Sequence, residues 1–221
     1  MKTYISPIGF DTSHIFSLLI RFGVESHDKV IVIRPKKEDD RSTRAIEELT
    51  ELVRKIANDI KVVVEVVNHL DFIDTLFQCI NIIALTSKEG GLENKIYVNL
   101  SGGPREILIA LNTASIVLSE KIHLVTSFSD VERIMKVISL PHIMNAPEQK
   151  EFEILTDIKN NGPISFAEIA SHLHISESTI SRQCSKLYGL QWIDIETRGK
   201  NKYATITPSG EIMIFRYDHI T

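Results

Sequence analysis

The sequence predicts an α/β protein in two parts: a Rossmann-like, mostly parallel sheet with an antiparallel edge hairpin, followed by a winged helix-turn-helix domain. Three observations carry this expectation. Between Lys2 and Leu140, short β-branched runs alternate with longer amphipathic segments, the pattern of a sheet wound through helical crossovers. In the middle of that region, Lys95-Ile96-Tyr97-Val98-Asn99-Leu100 reads as a strand, Ser101-Gly102-Gly103 breaks it, and Pro104-Arg105-Glu106 opens a helix. Beyond the stretch Pro141 to Pro147 the composition changes, and two short helices joined by a tight turn precede two strands around a basic hairpin tip.

Taken in order, Lys2 to Ser6 is a short strand. Pro7 to Ser13 is a turn-rich loop into a helix with His14, Ile15, Leu18, Leu19 and Phe22 facing inward, and either Asp11 or Thr12 is its N-cap. Lys29 to Arg34 is nearly all apolar, as a strand covered on both faces should be, and Pro35 ends it. Asp39 to Ala57 is a long amphipathic helix, and Ile60 to Val67 is a third strand with the same apolar run. Asp71 to Leu85 is a helix buried through Phe72, Leu76, Phe77, Ile80 and Ile83, followed by a loop at Lys88 to Gly91. After the fourth strand, Ile107 to Leu118 is helical, Ile122 to Thr126 is a fifth strand, Phe128-Ser129-Asp130 turns, and Val131 to Leu140 returns as an edge. In the usual order for such sheets, 3-2-1-4-5, strands one and four are neighbours, so the loops after them flank one site.

Those loops have the chemistry of an anion cradle. The unpaired N–H groups of a first helical turn, with the macrodipole, favour negative charge above them. Gly102 and Gly103 let a ligand approach the backbone closely. Arg105 in the first turn opposes the dipole and makes sense if it shares an anion with the turn; Glu106 offsets it, and a plain βα turn with Arg105 solvated is the alternative. The stretch is neither a Walker A loop nor a G-x-G-x-x-G dinucleotide fingerprint.

The proline-bracketed residues 141–147 read as a linker between domains at 1–140 and 148–221. Glu148 to Lys159 is a helix stopped by Asn160-Asn161-Gly162. Ser165 and Glu168 form a capping box for the next helix, His174-Ile175 turns, and Ser176 caps a helix from Glu177 to Tyr188. Ile180, Cys184 and Leu187 face inward, leaving Ser178, Arg182, Ser185 and Lys186 outward with Thr179 and Ser181 beside them. Small hydroxyls and cations suit a DNA groove, where arginine can take two bonds from a guanine. Trp192 to Glu196 and Lys202 to Thr207 are the strands of a wing whose tip carries Arg198 and Lys200, with Lys202 beside it, for phosphate contact. Pro208 to Tyr217 is a last short helix. A winged helix used only for protein contacts is the competing reading, but basic residues segregated onto one helix face and one hairpin favour an anionic partner.

Hydrophobic residues make up 43% of 221 positions, and the net charge is −4, so bulk electrostatics do not mark a nucleic-acid binder and any such binding is local. No apolar run approaches the ~20 residues of a membrane span. Without a signal-peptide pattern or a disulfide framework, the protein reads as cytoplasmic, with Cys79 and Cys184 as buried hydrophobes. His172 and His174 lack a companion in ligand spacing, so neither a metal nor a cofactor is expected.

The Ser101-Gly102-Gly103-Pro104-Arg105-Glu106 turn after a fourth strand, with a winged helix behind it, closely resembles the archaeal CRISPR-associated Rossmann-fold (CARF) transcriptional regulators of the winged-helix type. The resemblance covers essentially the whole chain. It implies a homodimer that binds a cyclic oligoadenylate, plausibly cyclic tetra-adenylate, and controls transcription at promoters of CRISPR or cas genes. The family's first ligand motif corresponds to Ser6 to His14, hence Gly9, Phe10, Asp11, Thr12 and Ser13. Its second corresponds to Asn99 to Glu106, hence Asn99, Ser101, Gly102, Gly103, Pro104, Arg105 and Glu106. DNA binding falls to Ser176, Ser178, Thr179, Ser181, Arg182, Ser185, Lys186, Arg198, Lys200 and Lys202. Some relatives cleave their ligand, so a cyclic oligoadenylate phosphodiesterase using Ser13, Ser101 and Arg105 is the alternative; the turn lacks a lysine, and His14, on an apolar stripe, is the only evident base.

Overall fold

The computed structural model describes residues 1–37, 39–57, 59–89, 94–129, 131–138, 140 and 146–220. The chain divides into two compact units, Met1–Ser139 and Leu140–Thr221. Of the expected loops, Gly90-Gly91, the turn residue Asp130 and most of the linker (141–145) lie outside the described residues.

The first unit is a six-stranded sheet in the order β3-β2-β1-β4-β5-β6. Its strands are β1 (Lys2–Pro7), β2 (Lys29–Pro35), β3 (Lys61–Val67), β4 (Lys95–Asn99), β5 (Leu124–Ser129) and β6 (Ile134–Ile138), parallel except for the β5–β6 hairpin. Alternation toward two helical layers makes the central strands apolar on both faces. On one side α1 (Ser13–Phe22) and α2 (Asp40–Ile56) pack Ile15, Leu18, Ala45, Leu49 and Val53 onto Tyr4, Val30, Val32 and Tyr97. Tyr4 and Tyr97 stack with ring centroids 5.1 Å apart. On the other side α3 (Phe72–Lys88) lies along α4 (Arg105–Val117), burying Cys79, Ile83, Ile107, Ala110, Leu111 and Ala114.

β5 continues through Phe128 and Ser129, where the sequence predicts a turn, because their register against Met135 and Ile134 extends the ladder. Residues 131–133 are a turn and not strand, with Arg133 at positive φ. α3 extends to Lys88, one turn past its expected end, with the Glu89 N–H closing on Leu85. Pro104 is the N-cap of α4, not its first helical residue. β3 is an edge strand whose Val64 and Val66 are exposed, so its apolar run does not mark burial on both faces. Phe72 and Phe77, expected inside, are exposed, Phe77 by 59%; with Ile73 of α3 and Ile109 of α4 they leave this helical layer apolar on its outside.

The second unit carries α5 (Gln149–Asn161), β7 (Ile164–Ser165), α6 (Phe166–Leu173), α7 (Glu177–Gly189), β8 (Ile193–Arg198), β9 (Asn201–Ile206) and α8 (Pro208–Ile220). Its sheet order is β7-β9-β8, all antiparallel. Ile154, Leu155, Ile158, Phe166, Ile169, Ile180, Cys184, Leu187 and Trp192 form one core. Ser165 and Glu168 form the expected capping box, and His174 takes the left-handed conformation at the end of α6. The wing strands reach Arg198 and Asn201, so the tip is Gly199-Lys200 alone, with Gly199 at φ +64° as a two-residue hairpin requires. Two-residue β7 was not foreseen; Ser165 pairs with Tyr203 while also capping α6. No helix among the described residues is long and apolar enough to cross a membrane.

Candidate ligand cleft and nucleic-acid interface

β1 and β4 are parallel neighbours, Ile5 opposite Val98, so the loops that follow them leave the sheet side by side at the point where strand order reverses. They are locked together by glycine. A Cβ on Gly9 would lie 3.2 Å from the Gly103 nitrogen, so the two backbones touch. Gly102 and Gly103 sit at φ +75° and +69°, which L side chains rarely adopt. A Cβ on Gly102 would meet His14 Cε1 at 2.3 Å, and one on Gly103 would meet Pro7 Cβ at 2.7 Å. The space that a side chain would need at these glycines is therefore filled by the first loop, while both glycines also border the cavity in front of the loops.

The polar groups behind the loops hold the strands' ends. Asn99 is fully buried and donates from Nδ2 to Ser6 Oγ at 3.0 Å. Ser101 Oγ accepts the Phe128 N–H at 2.6 Å, fixing the turn to β5. His14 is buried, with Nε2 3.3 Å from the Pro7 carbonyl. Asp11 accepts the Ser13 N–H at 2.8 Å and the Ser13 hydroxyl at 2.7 Å, while Thr12 occupies the N-cap without a side-chain cap bond. These Ser13 hydrogen bonds hold the Asp11 carboxyl below its ordinary range.

In front of the loops lies a cavity of about 560 Å³. Ile8, Gly9, Phe10, Asp11 and His14 line it from the first loop, and Ser101 to Pro104 from the second. Its remaining walls come from elements the sequence did not single out: Pro35, Lys37, Asp39 and Ser42 after β2, and His69 after β3. Thr12, Ser13, Asn99, Arg105 and Glu106 are not on these walls; Arg105 and Glu106 are exposed on the first turn of α4. The Phe10 ring is 57% exposed, with the Arg41 guanidinium 3.8 Å from its centroid. A larger cavity, about 720 Å³, lies between α3 and the β2–β3 edge, but polar groups on its wall already pair within the protein, Lys29 with Glu89 at 2.8 Å and Asn68 with Asp74 at 3.0 Å.

Of the groups considered for ligand cleavage, Ser101 and His14 line the cavity and Ser13 and Arg105 do not. Ser13 and Ser101 are engaged with Asp11 and Phe128, His14 faces Pro7, and Arg105 lies outside the cavity. No cluster able to hold a metal occurs among the described residues. His172 does have an acidic companion, Asp157 of α5, at 3.0 Å, because α5 and α6 pack together; the contact is a histidine–carboxylate pair.

In the second unit, Ser176 Oγ caps α7 through the Thr179 N–H and lies 2.8 Å from the Thr179 hydroxyl and 3.1 Å from that of Ser178. Ser178, Arg182 and Ser185 are exposed on α7; Thr179 and Ser181 are half-buried, and Ser185 Oγ returns to the Ser181 carbonyl. Lys186 is exposed but committed: its Nζ pairs with Glu151 of α5, a carboxylate only 2% exposed, and lies 3.8 Å from Glu148. Glu151 also accepts the Glu148 N–H at 3.0 Å, closing a capping box at the start of α5. Arg198 on the wing bonds Glu196 at 2.8 Å and lies over the Tyr203 ring, whereas Lys200 and Lys202 are exposed.

Residues 2–138 match the family described as the Csa3 CRISPR-associated Rossmann-like domain, and residues 148–202 match the MarR family. Among curated proteins none matches the chain. Among solved structures, a MarR protein from Peptoclostridium difficile is similar at 21% identity and a TM-score of 0.30, over 32% of this chain and 49% of that one. Staphylococcus aureus MarR in complex with salicylate and kanamycin is similar at 24% identity and a TM-score of 0.30, over 31% of this chain and 48% of that one. Enterococcus italicus Csm6 bound to cyclic hexa-2'-fluoro-hexa-dAMP is similar at 13% identity and a TM-score of 0.48, over 63% of this chain and 36% of that one. The chain thus spans about half the length of these MarR structures.

Proposed function

This chain belongs to the Csa3 CRISPR-associated Rossmann-like domain family, and it joins that domain to a MarR-type winged helix; from this we propose that it is a ligand-responsive, DNA-binding transcriptional regulator of CRISPR–cas loci. Its N-terminal domain, residues 1–140, senses a cyclic oligoadenylate, with cyclic tetra-adenylate as the candidate ring. Residues 148–221 bind promoter DNA, and residues 141–147 connect the two. The protein works as a homodimer in the cytoplasm.

The observation that carries this reading is the cavity at the reversal of strand order, walled by two glycine-locked loops, in the same chain as a winged helix whose α7 presents Arg182. Open α/β sheets bind ligands at that position. The outward Ile73, Phe77 and Ile109 give the Rossmann-like unit an apolar face for a second copy. A two-fold dimer presents the same loops twice to a two-fold ring, and sets two winged helices against two half-sites. Ligand then changes DNA affinity only through a difference in its affinity for two arrangements of the dimer.

Isothermal titration of the purified protein with cyclic tetra-adenylate tests the sensing half. One ring bound per two chains is the expected result. Absence of binding to any cyclic oligoadenylate removes the sensor and leaves a winged-helix protein whose cleft serves another ligand.

A further inference from the structure

Two cations of the winged helix are paired within the protein, and the carboxylates that hold them differ. Arg198 on the wing bonds Glu196, which is 65% exposed, so water and salt already compete for that pair and a DNA phosphate can take the place of Glu196. Lys186 on α7 bonds Glu151, whose side chain is 2% exposed. Both Glu151 oxygens are engaged. Oε1 lies 2.5 Å from the Lys186 Nζ and has no other partner among the described residues, and Oε2 accepts the Glu148 N–H at 3.0 Å. The exposed Glu148 adds a second carboxylate 3.8 Å from the same ammonium. Moving Lys186 away would strand a buried charge, and an exposed, salt-screened phosphate contact is too weak to offset that.

Lys186 nevertheless stands where a DNA contact is expected. Ser178, Arg182 and Lys186 repeat every four residues along the outer side of α7, and all three are exposed. Its holders sit at a junction: Glu148 is the N-cap of α5 and Glu151 lies in its first turn, directly after the buried Pro147 that ends the linker.

We propose that Glu151 is a positioning residue for DNA binding: it holds Lys186 back from the phosphate backbone, so that α7 carries a cationic contact it does not make while the first turn of α5 stays closed on the ammonium. This rests on the DNA-binding reading above and adds a contact kept in reserve where the linker enters the winged helix. A phosphate contact contributes affinity without sequence choice and weakens with salt. With Lys186 withheld, that part of the affinity is smaller than the cations on α7 suggest, and any displacement of Glu148 and Glu151 that opens the pair raises it.

The test is fluorescence anisotropy of the full-length protein on a duplex of unrelated sequence and on one from its own CRISPR–cas promoter region, across a salt series. Glu151→Gln keeps the side-chain shape and an acceptor for the Glu148 N–H but removes the charge that holds Lys186. It should tighten binding at low salt and steepen the slope of log affinity against log salt by about one, an additional loss of about three- to fourfold between about 50 and 200 mM salt. The double variant Glu151→Gln/Lys186→Met should return to the parent's slope, which a general disturbance of the fold would not produce. An unchanged slope in Glu151→Gln, or a steeper one that persists without Lys186, would overturn the reserve contact and leave DNA binding intact. Should Glu151→Gln melt below the parent, Lys186→Met alone still decides: the parent's slope is expected, and a slope shallower by about one would show that Lys186 already meets phosphate. A parent that binds neither duplex at any salt would overturn the DNA-binding reading itself, and the reserve contact with it.

Discussion

Gly102→Ala probes the junction between the two ligand loops. Gly102 has φ +75°, and an alanine there occupies the left-handed region at a cost of roughly 1–2 kcal/mol. Its Cβ would also lie 2.3 Å from His14 Cε1 and 2.5 Å from Nε2, and His14 is a buried side chain lying against the Pro7 carbonyl. Overpacking of that kind adds about 1–3 kcal/mol, for a total of about 2–5 kcal/mol. Urea unfolding followed by far-ultraviolet circular dichroism should register this as an earlier transition of the sheet unit. The single tryptophan, Trp192, is buried in the winged-helix core, so its fluorescence provides a control transition that should not move. A double-mutant cycle separates the terms: in a His14→Ala background, Gly102→Ala should cost only the backbone part, giving a coupling of at least ~1 kcal/mol. Equal costs in both backgrounds would refute the claim that His14 imposes glycine at this position.

Three further outcomes follow from the same geometry. Arg182→Ala should lower the slope of log affinity against log salt by about one, as for a lost phosphate contact; Lys186→Met should leave the slope unchanged, because its ammonium is held by Glu151, and a slope change equal to that of Arg182→Ala would contradict this. Burial pushes the Cys79 and Cys184 thiols up to about 12, so neither should react with Ellman's reagent in the native protein at pH 8 while both react in denaturant; rapid native labelling would show one of them accessible. The Asp11 carboxyl is held below its ordinary value by Ser13, so its contribution to stability is present above the unfolded pKa of about 3.9 and is lost as pH falls through the lower folded value. Asp11→Ala should therefore flatten the acid limb of stability against pH, and an unchanged limb would mean the Ser13 bonds are not maintained in solution.

The layers and the strand order were legible because β-branched runs, Pro35 and the Ser101-Gly102-Gly103 break punctuate the chain where the sheet demands it. Exposure was less legible. β2 and β3 have similar apolar runs, yet only β2 is interior to the sheet; the one local mark of the edge is Glu65, the charge between the exposed Val64 and Val66. Phe72 and Phe77 look like core residues because an outward apolar face and an inward one share the same helical period. The capping box of Glu148 and Glu151 was missed since glutamate is an unusual N-cap. Lys186 does lie on the outer side of α7, but its partner comes from a different helix, which periodicity cannot supply.

The candidate cleft divides in the same way. Its two glycine loops stand out as breaks in the pattern, whereas Lys37 and His69 resemble any loop residue. They reach the cavity only because the order β3-β2-β1-β4 brings their loops to the same rim. Arg105 drew notice for opposing the helix dipole, but the turn projects it away from the cavity walls.

On this reading, occupancy of the cleft is felt at the DNA. The most direct measurement is the affinity of the full-length protein for duplex DNA from its own CRISPR–cas promoter region, by fluorescence anisotropy at fixed salt, with and without saturating cyclic tetra-adenylate. A change of about fivefold or more in either direction is the expected result, the usual size of a coupling free energy between two sites. Equal affinity with the ring bound and absent would contradict the account, leaving a DNA-binding protein and a nucleotide cleft that share a chain without communicating.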